Sequence, residues 1–230
     1  MDNQELAKFL DHSVLHPTAG LSELLKGITT ASRYDVASFC VKPYHVKKAF
    51  SRLKDCHIPI STVIGFPHGG TYTSIKAQEI KMAFNDGARE FDIVINSGYV
   101  ASQNWSEISK EVYDLTSLAH DLGSIVKWIF ETDYIVSKDV IKRLCEICSE
   151  ANADYVKTST GFGFTKNAEG RYLTKGATVE NVLLMKKYTS DMTKVKASGG
   201  IKSKEDALKL IKAGASRLGT SSTEKILNPG

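Results

Sequence analysis

Residues 91–131 read FDIVINSGYVASQNWSEISKEVYDLTSLAHDLGSIVKWIFE and contain one complete strand–helix–strand unit. Phe91–Asn96 is a short apolar run that favours a buried strand. Ser106–Leu122 has the spacing of apolar residues that is typical of an amphipathic helix, and Ser124–Glu131 is a second apolar run. Strands that alternate with helices in this way predict a parallel sheet.

The same alternation continues in both directions from this unit. The predicted strands are Asp11–Leu15, Val36–Val41, Ile60–Phe66, Phe91–Asn96, Ser124–Glu131, Asp154–Thr160, Lys194–Ser198 and Ser216–Thr220. Helices are predicted at Asn3–Leu10, Leu21–Tyr34, His45–Lys54, Ser74–Asn85, Ser106–Leu122, Ser137–Ala151, Thr178–Tyr188 and Ser203–Gly214. Eight such units in 230 residues predict an α/β protein with a single (β/α)8 TIM-barrel domain over residues 1–230 and a short N-terminal helix. An open doubly wound sheet is the alternative, and the lack of a dinucleotide-binding fingerprint after the first strand weakens it.

One segment, Gly161–Gly176 after the sixth strand, is longer than the minimal repeat requires. In a barrel it belongs to the C-terminal face, where active sites lie. We expect a small hairpin or a partial lid, with an inert surface excursion as the alternative.

The composition is that of an ordinary globular chain, and it argues against several classes of function. Of 230 residues, 42% are hydrophobic and 24% are charged, and the formal net charge is +4. No basic run is long enough for a nucleic-acid arm, and no apolar run approaches the roughly 18 residues of a membrane span. The N-terminal sequence has no basic stretch followed by an apolar one, which argues against a secretory signal. We therefore expect a cytoplasmic protein that binds neither nucleic acid nor membranes.

Signals for a metal or a redox centre are weak. Cys145 and Cys148 form a C-x-x-C spacing, but they lie within a predicted helix and have no further ligands nearby. The six histidines show no metal-ligand spacing. We expect neither a metal ion nor a cofactor.

Charged residues inside predicted strands are the most informative feature of the sequence. Lys127, Lys157 and Lys196 lie in the fifth, sixth and seventh strands, and Asp92 lies in the fourth. A lysine in a barrel strand is costly unless its surroundings neutralise or pair it. A buried ion-pair network is one interpretation, and an active site is the favoured one.

Two close lysines point to a particular chemistry. Each ammonium disfavours the charge of the other, so one amine can be neutral near pH 7 and attack a carbonyl carbon. The resulting Schiff base accepts electrons when a neighbouring carbon–carbon bond breaks, and Asp92 could transfer the proton directly or through a water. This pattern predicts an aldolase that works through a lysine.

Glycines and hydroxyls follow the seventh and eighth strands. These residues are Ser198-Gly199-Gly200-Ile201 and Gly219-Thr220-Ser221-Ser222. Loops at these two positions frequently bind phosphate in barrels, because glycine lets backbone N–H groups approach an anion. We therefore expect a phosphate site there.

Several motifs resemble the deoxyribose-phosphate aldolase family, in order from about residue 6 to residue 222. The motifs are Asp11-His-Ser-Val-Leu-His-Pro, Phe66-Pro-His-Gly, Asp92-Ile-Val-Ile-Asn, Tyr155-Val-Lys-Thr-Ser-Thr-Gly-Phe-Gly, Val195-Lys-Ala-Ser-Gly-Gly-Ile and Gly214-Ala-Ser-Arg-Leu-Gly-Thr-Ser-Ser. The resemblance implies a class I aldolase that reversibly cleaves 2-deoxy-D-ribose 5-phosphate to D-glyceraldehyde 3-phosphate and acetaldehyde.

The resemblance also implies roles for individual residues. Lys157 matches the Schiff-base lysine, Lys196 the lysine that perturbs it, and Asp92 the acid/base. Substrate-binding positions fall on Cys40, Lys127 and Thr160. Phosphate-binding positions fall on Gly161, Gly199, Gly200, Gly219, Ser221 and Ser222. The expected partner is a small phosphorylated sugar, and a homodimer is possible because family members are commonly dimers.

The sequence also departs from the family pattern. His16 and Lys42 stand where bacterial relatives often have Lys and Asn, and the segment Phe164–Lys175 is longer than in compact members. Some members end in a tyrosine that assists proton transfer, whereas the last residues here are Ile226–Gly230. The alternatives are a phosphosugar isomerase or epimerase, an aldolase with another substrate, and a catalytically silent sugar-phosphate-binding barrel.

Overall fold

Eight parallel strands form a closed barrel in the computed structural model, which describes residues 1–228. The barrel strands are β1 (Leu10–Val14), β2 (Ser38–Val41), β3 (Ile60–Ile64), β4 (Glu90–Val94), β5 (Ile125–Ile129), β6 (Tyr155–Lys157), β9 (Lys194–Ser198) and β10 (Ala215–Thr220). They follow one another around the barrel in chain order, and β10 closes it by pairing with β1. The predicted (β/α)8 fold is confirmed.

A helix follows every barrel strand. The helices are α1 (Asn3–Ala7), α2 (Leu21–Tyr34), α3 (Val46–Leu53), α4 (Thr73–Asn85), α5 (Ser97–Ala101), α6 (Trp105–Asp121), α7 (Lys138–Glu150), α8 (Val179–Tyr188), α9 (Lys204–Lys212) and α10 (Thr223–Leu227). Two short 3-10 helices, Pro43–His45 and Thr132–Tyr134, begin the loops after β2 and β5. Among the described residues, no helix is both long and apolar enough to cross a membrane.

The apolar core lies between the strands and the surrounding helices. Phe91, Ile93, Val126 and Trp128 belong to this core, and they alternate along β4 and β5 with charged residues that do not. The Trp128 indole donates to the Thr116 hydroxyl of α6 at 3.0 Å. The Trp128 side chain therefore points out of the barrel, towards the helices. Because side chains alternate along a strand, the neighbouring positions point into the barrel.

Several strands are shorter than predicted, and β6 shows why. The sixth strand was expected to run from Asp154 to Thr160, but the regular pairing ends at Lys157. Beyond it, the Thr158 hydroxyl donates to the Ser198 carbonyl and accepts from the Ser198 N–H, both at 3.0 Å. A side chain therefore replaces the backbone pairing at the end of this strand.

Two helices were not predicted. Asn96 was expected to end a strand, but its side chain caps α5 by accepting from the N–H groups of Gly98 and Tyr99. The short helix α10 packs against α1, and the Asn3 side chain donates to the Leu227 carbonyl. Pro229 and Gly230, at the end of the segment compared with the terminal tyrosine of some relatives, lie outside the described residues.

The long segment after β6 forms a two-stranded antiparallel hairpin, as one of the sequence interpretations anticipated. Its strands are β7 (Thr165–Lys166) and β8 (Tyr172–Leu173), and they pair with each other outside the barrel. The Phe164 ring packs edge-on against the rings of Tyr134 and Tyr172, so the hairpin is docked against the loop after β5.

Candidate active site

The register of the strands brings the predicted charged residues together. Lys157 of β6 is paired in register with Lys196 of β9, and Asp92 of β4 with Lys127 of β5. All four are at most 3% exposed. The barrel interior therefore holds three lysines and one aspartate from four consecutive strands.

Asp92 is the centre of this arrangement. Its Oδ2 accepts from both Lys157 Nζ and Lys196 Nζ, each at 2.6 Å. Its Oδ1 accepts from Lys127 Nζ at 2.9 Å and from the Ser61 hydroxyl at 3.3 Å. A proton on either lysine is thus one hydrogen bond away from the same carboxylate oxygen.

Three further charged residues join the network, and the sequence analysis did not select them. Asp11 of β1 accepts from Lys196 Nζ, and it also accepts from the Arg217 guanidinium at 2.6 Å. Glu90 of β4 lies 2.5 Å from Lys127 Nζ and 3.5 Å from Arg217. The rule that found the lysines, a charge inside a strand, also applies to Asp11 and Arg217. Glu90 was missed because the predicted fourth strand began one residue later.

The environment acts differently on the two lysines that face Asp92. Burial lowers the pKa of Lys157, and the ammonium of Lys196 adds to this, while Asp92 opposes it. For Lys196, burial also acts against the charge, but Asp11 and Asp92 outweigh it and raise the pKa. Lys157 is therefore the better nucleophile, and Lys196 holds its proton.

Asp92 and Lys127 both keep their charges. Burial alone would raise the pKa of the Asp92 carboxyl, but the ammonium groups of Lys127, Lys157 and Lys196 outweigh it and hold that pKa well below its usual range. Burial opposes the Lys127 ammonium, yet Asp92, Glu90 and Asp11 raise its pKa well above the ordinary lysine value.

A cavity of about 560 Å³ opens at the carboxyl ends of the strands. Its wall includes Lys157, Lys196, Cys40 and Thr160, so these predicted residues meet at one site. Asp92 and Lys127 do not line this cavity. The expectation that Lys127 contacts substrate does not fit its position, because its ammonium is enclosed by Glu90, Asp92 and Asp11.

The predicted phosphate residues also line this cavity. They are Gly161, Gly199, Gly200, Gly219, Ser221 and Ser222. Within the described part of the chain, the backbone N–H groups of Gly161, Gly199, Gly200 and Ser221 have no hydrogen-bond acceptor. The Ser222 N–H, by contrast, donates to the Thr220 hydroxyl at 2.9 Å. Several free N–H groups around one end of a cavity form a site suited to an anion.

Thr160 is hydrogen bonded to the buried side chain of Glu131, a residue that was not among the predicted site residues. The Glu131 carboxylate accepts from the backbone N–H of Thr160 at 3.1 Å and from its hydroxyl. The same hydroxyl accepts from the Phe162 N–H at 2.9 Å. These bonds fix the turn that carries Gly161 into the cavity wall.

The hairpin is tied to the phosphate end of the cavity. The Asp133 carboxylate accepts from the N–H groups of Lys175 and Gly176, each at 3.0 Å. The Ala177 N–H then donates to the Gly199 carbonyl at 3.1 Å. The chain leaving the hairpin is therefore fixed directly against the turn after β9.

Lys42, one of the departures from the family pattern, has a structural role. Its ammonium donates to the backbone carbonyls of His16, Pro17 and Ala19, at 2.9–3.2 Å. It thus holds the loop between β1 and α2, whose residues His16 and Ala19 line the cavity. Within residues 1–228, no group of three or more His, Cys, Asp or Glu side chains could hold a metal ion.

A closed (β/α)8 barrel with a cavity at the carboxyl ends of its strands, walled in part by Lys157 and Lys196, has the architecture of the barrel enzymes. Residues 6–222 match the sequence model of the DeoC/LacD family aldolases. The chain belongs to this family of lyases.

Relatives named deoxyribose-phosphate aldolase match nearly the whole chain. The protein of Thermococcus kodakarensis is 41% identical over 99% of this chain and 97% of its own length. That of Rhodopirellula baltica is 40% identical over 97% of this chain and 88% of its own.

Solved structures agree with the sequence comparison. A putative deoxyribose-phosphate aldolase from Coccidioides immitis superposes with a TM-score of 0.90 at 35% identity, covering all of this chain and 87% of its own. The deoxyribose phosphate aldolase of Aeropyrum pernix, a tetramer, superposes with a TM-score of 0.87 at 29% identity, over 98% and 91% of the two chains.

Proposed function

We propose that this protein is a class I aldolase that cleaves 2-deoxy-D-ribose 5-phosphate reversibly to D-glyceraldehyde 3-phosphate and acetaldehyde. The observation that carries the proposal is the position of Lys157. Its amine lies on the cavity wall, 2.6 Å from Asp92, and burial lowers its pKa. The names of the relatives supply the substrate.

The reaction starts with the open-chain aldehyde. Lys157 Nζ attacks C1 and forms a carbinolamine, which loses water to give a protonated imine. A base then removes the proton of the C3 hydroxyl, and the C2–C3 bond breaks. Its electron pair moves to the iminium and leaves an enamine on Lys157, while glyceraldehyde 3-phosphate departs. Protonation of the enamine at C2 and hydrolysis of the imine release acetaldehyde and restore the amine.

The proton transfers are assigned to Asp92 and Lys196. Asp92 does not line the cavity, but its Oδ2 is bonded to both Lys157 and Lys196. Lys196 lies on the cavity wall and holds its proton. Lys196 therefore exchanges protons with the substrate, directly or through a water, and Asp92 passes protons between the two amines.

The phosphate is assigned to the end of the cavity formed by the turns after β6, β9 and β10. The free N–H groups of Gly161, Gly199, Gly200 and Ser221 support this assignment. Gly219 and Ser222 also belong to the cavity wall, and Cys40 and Thr160 line the same cavity as Lys157. Fixing the phosphate there would place the other end of the sugar at the lysine.

Borohydride trapping tests the covalent intermediate. Incubation with 2-deoxyribose 5-phosphate followed by borohydride should add the mass of the reduced adduct to the intact protein, and peptide mapping should place it on Lys157. Lys157→Arg should abolish the adduct, because a guanidinium keeps its proton. The matched control Lys187→Arg, at an exposed position, should label like the wild type. An adduct on Lys196, or none, contradicts the proposal.

We also propose that the protein self-associates and acts in the cytoplasm. The tetramer of the Aeropyrum pernix relative supports self-association, although a homodimer is equally compatible with the barrel. Four cysteines without disulfide bonds fit a reducing compartment. Light scattering coupled to gel filtration measures the number of chains, and a monomer at micromolar concentration would contradict the first part.

A further inference from the structure

Seven charged side chains form one connected cluster inside the barrel, which we call the charge cluster. Its members are Lys127, Lys157, Lys196, Arg217, Asp11, Glu90 and Asp92. Six of them are at most 3% exposed, and the Arg217 side chain is 12% exposed. Unbalanced charge is costly in such a place, so the numbers of cations and carboxylates matter. The cluster has four cationic groups and three carboxylates. It becomes neutral when one amine lacks its proton.

The contacts indicate which amine this is. Lys127 contacts three carboxylates, at 2.5, 2.9 and 3.5 Å. Lys196 contacts two, Asp11 and Asp92, and Arg217 also contacts two. Among the described residues, Lys157 contacts Asp92 alone. Lys157 is the least compensated cation and the one whose proton costs the least to remove.

Two more titratable groups lie near Lys157, and in the part of the chain that the structure describes neither forms an ion pair with it. Cys40 approaches from β2, and burial raises the pKa of its thiol, so it stays uncharged. Glu131 approaches from the end of β5, where burial raises the pKa of its carboxyl. Its hydrogen bonds go to Thr160, and within residues 1–228 it forms no ion pair with Lys157.

We infer that four residues of the charge cluster fix the protonation state of Lys157. These residues, which we call the supporting set, are Asp11, Glu90, Lys127 and Arg217. They do so because the cluster has one carboxylate fewer than it has cationic groups. Glu90 and Arg217 do not line the cavity, so they are positioning residues that act through the field of their charges. Charges interact over many ångströms in a poorly solvated interior, which makes this reach possible. The catalytic consequence rests on the proposed function, but the titration of Lys157 does not.

Opposite changes of charge in the supporting set test the inference. Glu90→Gln removes a carboxylate, and should lower the pKa of Lys157 by about one unit. Arg217→Gln removes a cation and should raise that pKa by a similar amount. The double variant, Glu90→Gln with Arg217→Gln, has three cationic groups and two carboxylates in the cluster. The difference of one is the same as in the wild type, so the pKa of Lys157 should lie within about 0.3 units of the wild-type value. Arg217→Lys keeps the charge and should also titrate like the wild type.

The readout is the pH dependence of acetylation of Lys157 by acetic anhydride, followed by peptide mass spectrometry on protein shown to be folded by circular dichroism. Identical titration in all variants, or shifts of the same sign for Glu90→Gln and Arg217→Gln, would overturn the inference. If one of the two single variants does not fold, the other decides by itself, since a Lys157 titration equal to that of the wild type would overturn the inference. A wild-type Lys157 that titrates near 10.4, the ordinary lysine value, overturns it without any variant.

The same samples separate this inference from the proposed function. Opposite shifts in the titration of Lys157, with no adduct after borohydride reduction in the wild type, would support the charge balance and contradict the aldolase. An adduct in the wild type with unshifted variants would support the aldolase and contradict the charge balance.

Discussion

A single carboxylate oxygen, Asp92 Oδ2, receives hydrogen bonds from two lysine amines whose pKa values move in opposite directions. The sequence predicted that Lys196 keeps Lys157 neutral through its charge. The structure retains this effect but places burial ahead of it as the cause of the lowered pKa. Removal of Lys196 should therefore have a measurable but partial effect on Lys157.

Lys196→Leu is predicted to shift the ascending limb of the pH profile of kcat/KM towards higher pH by about one unit. The reason is that Lys157 loses a neighbouring positive charge and keeps its proton more tightly. At neutral pH the rate should fall well over tenfold, because a proton donor on the cavity wall is lost as well. Raising the pH should recover part of this loss.

Lys196→Arg is the matched control for charge. It should keep the ascending limb near its wild-type position while lowering the rate, since the guanidinium cannot place its protons as the ammonium does. A Lys196→Leu profile that is uniformly lower, with an unshifted limb, would show that Lys196 acts only by proton transfer or geometry.

At the scale of elements, the β7–β8 hairpin and the turn after β9 act as one unit. A Cβ atom built on Gly176 would lie 2.5 Å from the Gly199 carbonyl oxygen, so only glycine fits there. Because Gly199 belongs to the predicted phosphate site, the packing of the hairpin sets the position of that turn. In this structure the hairpin is therefore packed against the barrel and is not a free lid.

Gly176→Ala is predicted to raise KM for 2-deoxyribose 5-phosphate about tenfold and to change KM for any turnover of unphosphorylated 2-deoxyribose much less. The added methyl group must displace the Gly199 backbone, which disturbs phosphate binding more than the lysine chemistry. Steady-state kinetics on both sugars provides the measurement.

Gly170→Ala, at the tip of the same hairpin, is the control. Both glycines have a left-handed backbone, with φ of 64° at Gly176 and 75° at Gly170, so both variants carry a similar backbone cost of about 1 kcal/mol. A Cβ on Gly170 meets no atom within 4 Å. Equal KM values for the two variants would show that the contact with Gly199 is unimportant for phosphate binding.

At the scale of the whole molecule, the alternation of strands and helices was sufficient to predict the barrel. The sequence did not predict the contacts of individual residues. Asn96 looked like a strand residue because its capping role depends on the turn that follows. The contacts of Lys127 depend on closure of the barrel, because closure places Asp11 Oδ2 of β1 3.5 Å from Lys127 Nζ of β5. Periodicity gives the side of a strand on which a residue lies, but it does not give its partners across the barrel.

The stability of the whole fold should depend on one histidine below neutral pH. His12 on β1 is buried, hydrogen bonded to the Thr223 hydroxyl of α10 at 2.9 Å, and stacked on Phe39 of β2. Burial lowers its pKa to about 4 from 6.5. Above pH 6.5 His12 is neutral in both states and contributes nothing to the pH dependence. Between pH 6.5 and 4 only the unfolded chain binds the proton, so the folded state loses stability.

The expected loss from this group is at most about 3 kcal/mol across that range. Urea unfolding at pH 7 and pH 4.5 measures it. The decrease should be smaller for His12→Gln than for the wild type, while His57→Gln, at an exposed position, should behave like the wild type. The same decrease in all three proteins would assign the acid sensitivity to other groups.

The apolar core between the strands and the helices has a consequence for how such an enzyme can change. Along β4, β5 and β9, residues that pack on the helices alternate with residues that face the interior. Within each strand, the helix-facing positions are therefore constrained by packing, whereas the interior positions are constrained by the site. Libraries confined to the interior positions could explore new substrates while the neighbouring positions preserve the scaffold. A change of one interior charge would leave its buried partners uncompensated, so it calls for a second change that restores the balance.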